Sequence, residues 1–275
     1  MRIGAYELPG SCRAEPYALP SRFPEVGRAG LEFRCYVTTG ELFFRKYDQG
    51  GGRNQPPLLL IHGAGGNLAH WPPQVRRLPD ATVYAIDLPG HGQSPGTGAA
   101  SIEGYADAVL DFLNAEALTQ VIVTGHSMGG AIAQDLARRV PGRIAGLALI
   151  ATGARLPVAP ALLEGLRTDY AGSVSQLAKW VYGPTVGDRQ RDDFRRQLMR
   201  LPSGLLLGDF MACAAFDASV DLAAMAMPAL VLCGQADRMT PPPLCRQLQE
   251  ALPAAALHLL DENGHMVMHE RPDVT

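Results

Sequence analysis

Beyond residue 57 the chain alternates short apolar runs with amphipathic stretches. The runs at 57–62, 82–87, 121–125, 144–151 and 229–234 are apolar throughout, and a sixth lies at 256–261. Stretches of helical period fall between them, near 70–78, 101–117, 128–139 and 242–251. Strands that are apolar on both faces and separated by helices predict an α/β fold, a mostly parallel central sheet flanked by helices. Upstream, 31–37 and 41–47 alternate apolar and polar positions around Thr39-Gly40, which predicts an antiparallel hairpin. Residues 1–30 are rich in Pro, Gly and Arg without a sustained period and read as an irregular N-terminal arm; 49–57 reads as a turn-rich loop.

The rhythm breaks between 154 and 226. Helical segments at 161–171, 174–182, 188–200 and 204–215 follow one another with no strand between them. An all-helical insertion between core segments 31–153 and 227–275 reads as a cap over the carboxyl edge of the sheet, where open α/β sheets bind ligands. The basic run from Arg189 to Arg200 reads as an amphipathic cap helix with Phe194, Leu198 and Leu201 turned inward, in preference to a polyanion site. Candidate pocket residues are Leu205, Leu206, Leu207, Phe210, Met211 and Phe216 from the cap. Met128, Met239, Met266 and Trp71 join them from the core. Plain helix–core packing accounts for more than half of such positions. A Met- and Leu-lined site suits a small or medium apolar acyl group better than a highly anionic substrate.

Composition narrows the partners. The 275 residues carry a net charge of −3, with 47% hydrophobic and 19% charged residues, which gives no reason to expect nucleic acid or an anionic membrane. No apolar run approaches the roughly 18–20 residues that span a bilayer. The N-terminus lacks a continuous apolar segment of the signal-peptide kind, so a cytoplasmic protein acting on a small molecule is expected. Cys12, Cys35, Cys213, Cys233 and Cys245 are scattered, without metal-ligand spacing, and read as free thiols.

The chemistry concentrates at residues 121–131, Val-Ile-Val-Thr-Gly-His-Ser-Met-Gly-Gly-Ala. A β-branched run ends in Gly125-His126-Ser127-Met128-Gly129 and a small-residue helix begins at once. This is the strand–turn–helix that exposes a serine hydroxyl at a strained bend. Side chains at 125 or 129 would collide with neighbouring backbone as the chain reverses. A serine needs a base. His265, in the loop after the strand 256–261, hangs from the same sheet edge. Asp237 follows the strand 229–234 at that edge too, placed to orient the imidazole; a turn aspartate is the competing reading. The Met128 N–H follows from the elbow as one oxyanion donor, and the Ala64 N–H in Gly63-Ala64-Gly65-Gly66 is the choice for the second. His62 reads as a buried histidine pinning that turn in preference to a proton carrier.

These residues together make the sequence resemble the α/β-hydrolase superfamily of Ser-Asp-His type with a helical cap, carboxylesterase-like. The likeness rests on His62-Gly63-Ala64-Gly65-Gly66, Asp87-Leu88-Pro89-Gly90-His91-Gly92-Gln93-Ser94, the elbow, Gly234-Gln235-Ala236-Asp237 and Gly264-His265. It implies catalysis by Ser127, Asp237 and His265 without a cofactor or metal, and a structural turn at Asp87, Gly90, Gly92 and Ser94. Members of this family normally continue into a final helix packed on the sheet beyond the point where Glu270–Thr275 stands, so either that helix is missing, which would expose apolar sheet surface, or it is unusually short. A serine at the elbow argues against the carboxylate-nucleophile chemistry of dehalogenases and epoxide hydrolases. Ester hydrolysis through acyl-Ser127 is the expectation. C–C bond hydrolysis of a ring-cleavage product, thioester or lactone hydrolysis, and a non-catalytic receptor are the alternatives, since the fold alone does not choose.

Overall fold

The computed structural model of the protein describes residues 34–36, 42–48 and 55–275. The expected N-terminal arm, the Thr39-Gly40 turn and most of the 49–57 loop lie outside these residues. Eight strands form one sheet: β1 (Arg34–Tyr36), β2 (Phe44–Asp48), β3 (Leu58–Ile61), β4 (Thr82–Ile86), β5 (Val121–His126), β6 (Ile144–Ile150), β7 (Ala229–Gly234) and β8 (Ala255–Leu260). Their spatial order is β1-β2-β4-β3-β5-β6-β7-β8. The first two strands pair antiparallel, Arg34 opposite Lys46, and β2 pairs antiparallel with β4. Every other neighbour pair is parallel. Because β3 lies between β4 and β5, successive crossovers leave in opposite directions, and a crevice opens at the carboxyl ends of β3 and β5.

The helices are α1 (Pro73–Arg76), α2 (Ile102–Ala115), α3 (Met128–Arg139), α4 (Pro160–Thr168), α5 (Tyr170–Trp180), α6 (Asp188–Leu198), α7 (Ser203–Ala215), α8 (Pro242–Ala251) and α9 (Val267–Glu270). The stretch expected as one helix over 70–78 is instead a 3-10 turn at Leu68–His70 followed by the short α1. Pro72 and Pro73 between them lack the N–H groups a continuous helix needs. The break between α4 and α5 falls at Asp169, whose carboxylate accepts the Gly172 N–H at 3.0 Å and caps the second helix. It therefore comes earlier than the hydrophobic period suggests. None of the helices among the described residues is by itself long and apolar enough to cross a membrane.

Helices α4 to α7 are all inserted between β6 and β7. The two chain crossings at the base of this insertion are joined by an Arg155–Asp217 bridge with a 2.6 Å ion pair, and by the Ala218 N–H donating to Ala154 O. Alternation along the strands divides the core. Leu59, Ile61, Val121 and Val123 pack with α2 and α3, whereas Leu60, Val83 and Leu232 join Leu177, Phe194, Leu198 and Leu206 of the insertion. The insertion thus shares one contiguous apolar cluster with the sheet. Cys213, Cys233 and Cys245 are free and buried.

Candidate active site

The elbow is built by exclusion. A Cβ at Gly125 would stand 2.2 Å from Gly129 O, and one at Gly129 would stand 2.2 Å from Ile61 O, so backbone occupies both places. The crowding drives Ser127 to φ 54°, ψ −117°, a conformation that costs a non-glycine residue about 1–3 kcal/mol. Tertiary bonds hold it there: the Ser127 N–H donates to Ile150 O at 2.9 Å, and Thr152 Oγ1 donates to Ser127 O at 2.9 Å. His126 and Met128 on either side are buried, and Ser127 is half-buried.

Asp237 and His265 meet as expected. His265 Nδ1 donates to Asp237 Oδ2 at 2.9 Å, with both side chains almost fully buried. The carboxylate is saturated with donors: Oδ1 accepts the N–H groups of Met239 (2.8 Å) and Thr240 (2.9 Å), and Oδ2 also accepts Thr240 Oγ1–H (2.8 Å). Burial pushes this carboxyl up, but the His265 ring and the Thr240 bonds outweigh it and hold Asp237 below the ordinary carboxylate value. A proton fixed on Nδ1 leaves Nε2 of His265 as the basic nitrogen. The backbone carrying His265 is held from the insertion, since the N–H groups of His265 and Met266 both donate to Val181 O at the end of α5 (2.8 and 3.0 Å). Thr240 escaped the sequence reading, although an Asp followed three residues later by Thr is a local capping pattern.

The turn after β3 approaches the elbow closely. A Cβ at Gly63 would meet His126 Nδ1 at 2.9 Å and Ser127 Cβ at 3.1 Å. Among the described residues no hydrogen bond takes up the N–H of Ala64 or of Met128, so both donors stay available. His62 plays the structural part: its Nδ1–H donates to Gly63 O (2.8 Å) and its Nε2 accepts the Leu88 N–H (3.0 Å). Burial first, then the charge of His91, hold its pKa well below the ordinary value, so it is neutral. The Asp87 turn is also structural, its oxygens accepting the N–H groups of Leu68 (2.6 Å) and Gln93 (2.8 Å).

Ser127 and His265 open on one narrow chamber, with Gly63, Ala64 and His126 on the sheet side. The insertion supplies Leu177, Val181, Phe194, Leu198, Leu206 and Phe210, and the core supplies Met239 and Met266. Of the ten candidate pocket residues, Leu206, Phe210, Met239 and Met266 line it; Trp71, Met211 and Leu207 are among those that do not. Trp71 is wholly buried in the core cluster next to the 3-10 turn. Met211 is 49% exposed, because one residue along α7 turns it about 100° away from Phe210. Leu205 and Phe216 pack elsewhere, and Met128 is sealed in the core under the elbow. Arg155 and Arg167 pair with Asp217 and Glu164, and Arg238 lines a neighbouring groove. His70, which the sequence reading passed over, lines the chamber beside Gln197, and burial lowers its pKa to about 3.

Known proteins resemble this chain in both sequence and structure. The profile of the alpha/beta hydrolase family matches residues 58–275. A pimeloyl-[acyl-carrier protein] methyl ester esterase of Neisseria meningitidis is 31% identical over 227 residues, covering 76% of this chain and 86% of the relative. Among solved structures, a thermophilic esterase superposes with a TM-score of 0.76 at 29% identity, covering 89% of this chain and 94% of its own. The enol-lactonase of Burkholderia xenovorans LB400 does so at 0.75 and 26%, covering 85% and 92%. With the profile spanning the sheet from β3 onward, the insertion and all the strand-end loops described above, the chain belongs to the alpha/beta hydrolase family, and it is an enzyme of that fold.

Proposed function

We propose that the protein hydrolyses carboxylic esters of small or medium apolar acyl groups through an acyl-enzyme on Ser127, with residues 154–226 serving as the cap. The observation that carries this reading is the meeting of a strained serine elbow and a buried Asp237–His265 pair on the wall of one apolar chamber. His265 Nε2 takes the Ser127 Oγ proton as Oγ bonds to the ester carbon. The oxyanion that forms is held by the Ala64 and Met128 N–H groups, and the imidazolium gives its proton to the departing alcohol. Water then attacks the acyl carbon, His265 takes its proton, and the acid leaves as Ser127 regains its hydrogen. Each oxyanion donor contributes about 2.7–4 kcal/mol to such a transition state.

The Neisseria relative is named for a methyl ester, and the Burkholderia neighbour for an enol-lactone, a cyclic ester. The second favours a lactone as the other substrate form, since the same attack opens a ring and leaves the alcohol tethered to the acyl group. The test is hydrolysis of nitrophenyl esters of graded acyl length, beside simple lactones, by wild type and Ser127→Ala. Turnover that peaks at one chain length and vanishes in the folded variant is expected. Turnover retained by Ser127→Ala refutes the assignment.

A further inference from the structure

Helix α7 (Ser203–Ala215) carries a single charged residue, Asp209, and it is fully buried. Three donors converge on it. Oδ2 accepts the Gly65 N–H at 2.8 Å and lies 2.8 Å from His91 Nε2, and Oδ1 accepts the Tyr105 hydroxyl at 2.5 Å. The other ring nitrogen of His91, Nδ1, lies 3.0 Å from Pro89 O, a group that only accepts. Both ring nitrogens of His91 therefore carry protons, and His91 and Asp209 form an ion pair with no exposed side-chain surface. Burying two charges is expensive, and an apolar pair of similar volume commonly serves stability as well. What an apolar pair cannot supply is an acceptor for Gly65. That N–H belongs to the residue after Ala64, in a turn where Gly65 stands at φ 63° and a Cβ would meet Leu198 and Leu206, each at 2.7 Å.

We propose that Asp209 is the positioning residue of the oxyanion turn, its carboxylate gripping the Gly65 N–H and so aiming the Ala64 N–H at the reacting oxygen, with the His91 cation as its counter-charge. The proposal rests on Ser127 being the nucleophile. It makes the oxyanion site a joint product of the sheet and the insertion, since the turn follows β3 and its anchor is 144 residues further along the chain. Asp209 touches no reacting atom. Its effect is on geometry, and a donor aimed badly keeps part of the roughly 10²–10³-fold that a whole donor provides.

The experiment compares Asp209→Ala, Asp209→Asn and Tyr105→Phe with wild type, measuring kcat, KM, melting temperature and affinity for an alkyl trifluoromethyl ketone. Such a ketone forms a tetrahedral oxyanion with an active-site serine. Asp209→Ala is expected to lower kcat about 10–100-fold with KM changed less than threefold, and ketone affinity should fall by the same factor as kcat/KM. Tyr105→Phe removes a partner of the same carboxylate without touching Gly65, so it should lower the melting temperature and leave kcat within about threefold. If Asp209→Ala does not fold, Asp209→Asn decides, because an amide offers one acceptor oxygen to three donors and no charge to His91. It should lose at least about fivefold in kcat, and the nitrogen-15 spectrum at pH 7 should lose one of the two His91 ring N–H signals that wild type shows. Folded Asp209 variants with wild-type kcat and ketone affinity overturn the proposal, as does a Tyr105→Phe loss of kcat equal to theirs. Phosphonate labelling of wild type with inactive Ser127→Ala verifies the underlying reading separately; failure there removes both.

Discussion

Replacing Asp237 by Asn exchanges one carboxylate oxygen for an NH₂ group and should disable the site without dismantling it. The two oxygens receive four donors: the N–H groups of Met239 and Thr240 on Oδ1, and the Thr240 hydroxyl with His265 Nδ1–H on Oδ2. The amide oxygen of Asn must face the two backbone N–H groups, which cannot turn away, so the NH₂ faces His265. A donor there forces Nδ1 to accept, and the ring proton moves to Nε2. His265 then presents Ser127 with an N–H where a lone pair is needed. In a serine protease the corresponding exchange lowers kcat about 10⁴-fold, which at 1.36 kcal/mol per decade is ~5.4 kcal/mol of lost transition-state stabilisation. A similar loss is expected here, since the hydrogen-bond pattern that fixes the tautomer is the same. Stability should change little, as the backbone bonds survive. The assay is steady-state hydrolysis of the preferred nitrophenyl ester with a melting curve on the same sample. A loss smaller than 10²-fold in a folded Asn variant would show that Asp237 does not set the tautomer.

Gly129→Ala should cost about 2–3 kcal/mol and most of the activity, because its Cβ would stand 2.2 Å from Ile61 O and 2.7 Å from His62 O, both backbone; a melting curve unchanged from wild type contradicts this. Phe210 lines both the chamber and the adjoining groove of Pro157, Val158, Leu162 and Trp180, so Phe210→Ala should join them and move the chain-length optimum to longer acyl groups. Burial lowers the His91 pKa, but its bond to Asp209 and the nearby Asp209 and Asp87 charges outweigh that and raise it above 6.5. The stabilisation from a raised group is whole below about pH 6.5 and is lost as pH rises through the folded value. With Asp209, Asp87, His62 and Tyr105 as its titratable neighbours, the melting-temperature gap between wild type and His91→Gln should narrow from pH 6 to pH 9. Parallel curves would refute the ion pair.

The parts of this molecule that were legible in the sequence are those written locally. Helix α3 starts at Met128 because Gly125 and Gly129 leave room for no other path, and α8 starts after Pro241 because proline favours a first turn. Ser127, Asp237 and His265 were legible for the same reason, each lying just beyond an apolar run whose end fixes which sheet edge it occupies. The chamber lining was not. Phe210 and Met211 are chemically alike and adjacent, and only the rotation of α7 about its axis separates a pocket residue from a solvent-facing one. Trp71 has the composition of a pocket wall, yet the two prolines after it end the turn and leave its ring in the core. Asp209 was signalled by its isolation, a lone carboxylate among Leu205, Leu206, Leu207 and Phe210, but its partners Gly65, His91 and Tyr105 are more than a hundred residues away.

That long-range wiring bears on how substrate enters. The insertion holds both halves of the proposed reaction centre: Val181 O takes the two N–H groups of the His265 loop, and Asp209 takes the Gly65 N–H of the turn proposed to bind the oxyanion. Glu270 adds to the first of these by accepting from both Gly183 and Gly264. Lifting the insertion as one lid would strip the base loop and the oxyanion turn together and expose a buried ion pair, with each orphaned buried donor costing about 1–3 kcal/mol. Moving single side chains breaks none of these bonds. Phe210 and Met239 are half-buried and line both the chamber and the groove beside it, so a passage opened by rotation about their side-chain bonds would leave Ser127, Asp237 and His265 anchored. On the proposed reading, the insertion would select by the apolar side chains it presents and support catalysis by the backbone it holds, and the two duties would fall on different residues of the same helix, Phe210 and Asp209.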